Sequence, residues 1–227
     1  MVEAVANGVR VVARAARYCP LVAAEYLQER PDQIRTLIGS LRESLQNVTV
    51  AEKDDLLRQL SETEAACLGS SLDLKSPRAI PELVKTLGLG FSIVPRQLAE
   101  FGDDAAPAVL AVVTSAESDR EAVGTGLMAL RFMVESAGGR PLSAGARERI
   151  KQAAELWLAA RQQSILTLGP AIDLAAVLGD PDLRRILESL ASDPNAVASR
   201  GIHVGSIELI RKRAADRLAG VPPLPRP

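Results

Sequence analysis

Laid on one another at a constant offset of 77, residues 98–115 (LAEFGDDAAPAVLAVVTS) and residues 175–192 (AAVLGDPDLRRILESLAS) share one punctuation. Gly102 falls on Gly179, Asp103 on Asp180, Val109 and Leu110 on Ile186 and Leu187, and Val113 on Leu190. Each stretch reads as the end of a helix, a Gly-Asp turn and the start of a second helix. Its apolar residues recur at three and four positions, and glycine stops a helix where a left-handed residue is needed. A chain built from such units buries its apolar stripes by stacking helix on helix. Two further helices fit between the copies, so the period is two helix pairs of roughly 39 residues each.

Helical spacing extends over nearly the whole chain. Residues 32–46 align Ile34, Leu37, Ile38, Leu41 and Leu45, and residues 52–68 align Leu56, Leu57, Leu60 and Cys67. At the N-terminus, Val5, Val9, Val12 and Ala16 share a face. Ser76-Pro77 and Asp180-Pro181 each place a capping side chain before a proline at the first helical position. Ser118-Asp119-Arg120-Glu121 reads as a capping box, opening a helix with stripe Val123, Leu127, Leu130 and Val134. A helix near 145–160 carries Ile150, Ala154, Trp157 and Leu158; the last, near 204–219, carries Ile207, Ile210, Ala214 and Leu218. Only 3% of residues are aromatic, so the core is Ala, Leu, Val and Ile, the side chains of close helix-on-helix layers rather than of sheets. Residues 138–145 (GGRPLSAG) form the one extended loop, and the tail from Val221 to Pro227, with four prolines, cannot be helix.

The period and its turns resemble HEAT repeats, in which an Asp/Pro-rich turn precedes an "A" helix and a "B" helix opens with an Asp-x-x-Val or Asp-Arg pattern. Leu178-Gly179-Asp180-Pro181 is similar to the inter-repeat turn, and Asp119-Arg120-Glu121-Ala122-Val123 to the opening of a B helix. The resemblance covers about residues 76–219. It implies an all-α fold, a right-handed α-α superhelix of stacked antiparallel helix pairs of the HEAT/ARM type. Residues 1–75 are then a helical capping region or divergent repeats, 76–220 the repeat body and 221–227 a Pro-rich tail.

Charge gives little direction. The net charge is −1; residues 1–113 carry −3 and residues 114–227 carry +2, so no strong field points to nucleic acid or an acidic membrane. Cys19 and Cys67 lack metal or redox spacing and are two buried thiols or one disulfide. No stretch reaches the ~20 apolar residues of a membrane span. Glu3, Arg10, Arg14 and Arg17 interrupt any secretory core at the N-terminus, so a cytoplasmic location is expected. Asn47-Val48-Thr49 is a bare glycosylation sequon. The single histidine, His203, rules out paired-histidine metal sites and sits where a helix cap is expected. Gly124-Thr125-Gly126-Leu127-Met128-Ala129 matches GxGxxA, but inside a helix, where small residues mean close helix packing rather than a dinucleotide site. Gly88-Leu89-Gly90 lacks a following Walker lysine. Asp103-Asp104 fits capping better than acid–base work, and Trp157 lies on a core stripe. No catalytic, cofactor or metal residue is assigned.

The expected function is a non-enzymatic scaffold or adaptor that binds a protein or peptide on a concave face. The B helix 119–135 turns its stripe inward, leaving Arg120, Gly124, Met128, Arg131 and Glu135 as the contact row, extended by Asp173 and Arg211 on neighbouring helices. Two alternatives stand beside it. One is a nucleic-acid-binding HEAT-like protein using Arg211-Lys212-Arg213 and Arg217, although the repeat-type DNA glycosylases it would resemble have a basic, tryptophan-bearing groove. The other is an enzyme with dispersed carboxylates gathered by the fold.

Overall fold

The structure, a computed structural model, describes residues 76–89, 93–135, 142–161 and 163–220. The chain divides into two compact units, Met1–Val94 and Pro95–Pro227, so the division falls in the first turn of a helix rather than at residues 75 and 76. The N-terminal amphipathic stretch, the stripes of 32–46 and 52–68, Cys19, Cys67, Asn47 and the Pro-rich tail lie outside the described residues. Among the described residues there is no strand, and no helix is long and apolar enough to cross a membrane.

In the first unit, Ser76 accepts a hydrogen bond from the Arg78 N–H and opens a 3-10 turn, Pro77–Ala79, that runs into α1 (Ile80–Lys85). Ile80, Leu83 and Leu87 are its buried residues. The second unit carries α2 (Ile93–Glu100, from Pro95 on), α3 (Ala106–Thr114), α4 (Arg120–Glu135) and α5 (Ala144–Ala159). It continues with α6 (Ile165–Leu178), α7 (Pro181–Ser192), α8 (Pro194–Ala198) and α9 (Ile207–Ala219).

Helix starts follow their caps. Asp180 accepts from the N–H groups of Asp182 and Leu183 with Pro181 at N1, as its sequence signal indicates. At α4 the cap is Asp119, whose carboxylate accepts from the Ala122 N–H at 2.7 Å. Ser118 therefore lies one residue outside the helix, because the shorter, charged Asp reaches the free amide first. Ser143 caps α5 by accepting from Ala146 N, so the expected loop ends at Ser143 and Gly145 is already helical. At the other end of α5, Gln163 donates to the Trp157 carbonyl and Arg200 to the Leu158 carbonyl, satisfying groups that a helix end leaves open. Burial pulls the Arg200 guanidinium below its ordinary pKa, and carbonyl oxygens at a helix C-terminus suit the charge that remains. Trp157 is half-buried, and its indole N–H donates to the Val113 carbonyl at the end of α3.

α6 is the centre of this unit. It packs on α4, α5, α7 and α9, and every residue from Thr167 to Ala176 is buried. A helix apolar on all sides belongs inside a bundle. The closest approach is between α4 and α6: a Cβ on Gly124 would lie 2.1 Å from the Leu166 carbonyl oxygen. Pro170 has no N–H to offer that carbonyl four residues back, and the bare backbone of Gly124 is what fits against it. The small residues of the GxGxxA match thus serve helix packing, with Gly124, Gly126 and Ala129 all buried.

The offset of 77 holds for α2–turn–α3 against α6–turn–α7 and then fails. Arg120, which opens α4, would map onto Val197 inside α8, whereas the next long helix starts at Ile207. Asp193 caps α8 by accepting from Asn195 N, and the extra short helix, with the 3-10 turn Val204–Ser206, delays α9. The packing partners still correspond: α3 lies on α4 as α7 lies on α9.

Candidate interaction site

α9 begins where His203 Nδ1 accepts from the Gly205 N–H, a capping role for the single histidine. Its buried residues are Ile210 and Ala214, which turn toward α6 and α7. The helical period then sends Arg213 and Arg217, four residues apart, over the side of α6. Both meet Asp173, whose side chain is 3% exposed. Arg213 donates to it twice, from Nε at 3.0 Å and Nη2 at 2.7 Å; Arg217 donates from Nε at 2.8 Å. Arg131 of α4 adds a third bond from Nη1 at 3.1 Å and also pairs with Glu135. One buried carboxylate therefore gathers three guanidinium groups from two helices. Burial pushes the Asp173 carboxyl up, but the bonds from Arg213 and then Arg217 outweigh it and hold the group below the usual carboxylate range.

Gly169 makes the arrangement possible. It stands four residues before Asp173 on α6, and a Cβ there would lie 2.8 Å from Arg213 Nη1. Without that side chain Arg213 lies flat across the helix and presents its fork to the carboxylate.

The outer side of the same two arginines lines an open groove of about 470 Å³ with Leu209, Lys212 and Asp216. Leu209 is 56% exposed, and the side chains of Arg213 and Arg217 are 39% and 40% exposed. Lys212 makes no ion pair among the described residues, and Arg217 uses only Nε, leaving both Nη groups to the groove. The surface combines one apolar side chain with three cationic ones and a rim carboxylate.

The expected contact row is not one surface. Arg120 and Glu135 are exposed and Met128 half-buried, but Gly124 is buried under Leu166 and Asp173 under its arginines. The row was drawn as the face opposite the stripe, yet α6 covers it, since α4 is sandwiched from two sides by α3 and α6. Arg131, Glu135 and Asp173 do come together, as a structural ion cluster. Arg211 lies apart from them, donating to the Ala191 carbonyl at the end of α7 and pairing with Glu208 at 2.8 Å. Arg213 and Arg217 are legible as a basic i, i+4 pair, but their partner is forty residues away, where no local pattern points. Among the described residues, no group of three His, Cys, Asp or Glu side chains could hold a metal ion. No protein family, curated protein or solved structure matches this chain.

Proposed function

We propose that this chain is a non-enzymatic interaction module, a HEAT-like stack of helix pairs that docks an acidic segment of a partner protein on the outer face of α9. The observation that carries the reading is the exposed Leu209 beside Lys212, Arg213 and Arg217 in one groove. An apolar anchor ringed by charge is the anatomy of a peptide-docking patch. The two arginines are also fixed in advance by Asp173, which lowers the entropy lost on binding. A duplex backbone fits less well, because Asp216 lines the same groove and Leu209 has no role against phosphates.

Fluorescence anisotropy with a labelled Leu-Glu-Asp-Glu-Glu peptide and the full chain tests it. Binding that weakens about tenfold in a Leu209→Asp, Lys212→Glu variant of unchanged helicity is the expected result. Equal binding by that variant moves the site elsewhere. Preference for random-sequence duplex DNA, falling steeply with salt, replaces the reading with nucleic-acid binding.

A further inference from the structure

The groove on α9 has a donor geometry that a carboxylate does not exhaust. Asp173 occupies the inner edge of both arginines, so neither guanidinium is free to swing away. Outward, both Nη groups of Arg217 and the ammonium of Lys212 have no partner among the described residues. They share the groove with the exposed part of Arg213. Several N–H-bearing centres held at one place match an acceptor with three oxygens better than one with two.

We propose that the segment docked on α9 carries a phosphorylated side chain, bound by Arg217 and Lys212 beside Arg213, with a neighbouring apolar residue against Leu209. This rests on the docking reading above. Along the helix, Lys212 to Arg217 lies roughly 5–12 Å beyond Leu209 at 1.5 Å per residue. An extended peptide advances about 3.3 Å per residue, which puts the phosphorylated residue two or three positions from the apolar one. Asp216 lines the groove near Arg217, raising that guanidinium's pKa while opposing an incoming anion. Its carboxylate limits affinity and keeps weaker acids out.

Three probes in both chain directions decide the matter: leucine, two glycines, then phosphoserine, glutamate or serine, each titrated against the full chain with inorganic phosphate as a fourth ligand. The phosphoserine peptide binds roughly tenfold tighter than the glutamate one, and its addition shifts the Arg217 Nε–H resonance. Lys212→Gln, a surface change that leaves the Asp173 cluster intact, weakens the phosphopeptide several-fold, and Asp216→Asn strengthens it. Equal affinity for glutamate and phosphoserine overturns the phosphate assignment while leaving the docking reading in place. Inorganic phosphate binding as well as the phosphopeptide, with no binding of the glutamate peptide, overturns both. Phosphopeptide affinity unchanged in Lys212→Gln and in Arg217→Lys places the site off α9 and overturns the proposal.

Discussion

The two Gly-Asp turns that align at an offset of 77 have the same backbone and different side-chain duties. Gly102 and Gly179 both take left-handed backbone, with φ of 53° and 65°, and each ends a helix. Asp180 then caps its own helix α7 and pairs with Lys151 of α5 at 2.7 Å. Asp103 leaves α3 without a side-chain cap and instead accepts the Ser143 N–H through both oxygens, just ahead of α5. The helices before the turns diverge further. Arg96 of α2 is exposed, its guanidinium 5.0 Å from the centroid of the Phe132 ring, whereas its counterpart on α6 is the buried Asp173. Glycine dictates the bend wherever it stands; a charged side chain takes the partner its neighbourhood supplies.

The sharpest break in the comparison is at those counterparts. Asp173→Asn leaves three guanidinium groups around a neutral amide and costs about 3 kcal/mol in denaturant unfolding. Arg96→Ala, at a surface cation–π contact, costs about 0.5 kcal/mol. Acid titration separates them as well. A depressed folded pKa means that Asp173 adds stability above its unfolded value of about 3.9, lost as pH falls through the folded value. The unfolding free energy of Asp173→Asn should therefore fall less steeply below about pH 4 than that of the native chain. A parallel acid profile would mean that the three arginines do not hold the carboxylate charged.

Next in size is Gly124→Ala. The new methyl meets backbone rather than a movable side chain, so α4 and α6 must separate, at about 2–3 kcal/mol. Gly145→Ala is its control: nothing lies within 4 Å of a Cβ there, and an exposed helix position gains slightly. At the turns themselves, Gly102→Ala and Gly179→Ala should cost the same, about 1 kcal/mol each, because the left-handed conformation sets the penalty. Nothing lies within 4 Å of a Cβ on Gly179, so no clash adds to it. Unequal losses in thermal unfolding would show that the two bends are not equivalent.

Much of this architecture is local chemistry and therefore readable. Helical spacing, Asp180-Pro181 and the turn glycines act within a few residues, and the structure follows them. Asp193-Pro194 carries the same cap-proline signal as Asp180-Pro181 and opens α8, the short helix that breaks the offset. That signal was available and outweighed by the regularity of the period. The site is a different matter. Whether Asp173 faces water or three arginines depends on α9 crossing α6 at Gly169, and no single segment encodes that crossing. Gly124 fails as a surface residue for the same reason. Its position opposite the stripe of α4 is plain, but α4 has two packed sides. Ile186 shows the limit at finer scale: it aligns with the buried Val109 yet is only half-buried, so its truncation should fall at the low end of the range for buried aliphatics.

The smallest effects discriminate best between a shared turn and a shared function. Asp180→Ala removes a cap that serves two amides, worth about 1 kcal/mol. It also frees Lys151; the Lys151 hydrogen bond is the main cause that holds the Asp180 carboxyl low, so its contribution too is lost as pH falls below about 4. Asp103→Ala removes exposed bonds to a single amide, about 0.5 kcal/mol, near the resolution of a melting curve. Hydrogen exchange reads both cleanly. With Asp180→Ala, the Asp182 and Leu183 amides should exchange faster, in the first turn of the helix that follows the mutated residue. With Asp103→Ala, the acceleration should skip α3 and emerge at Ser143, forty residues on. Faster exchange at Ala106 and Ala108 instead would make Asp103 a cap like Asp180, and the two turns one device used twice.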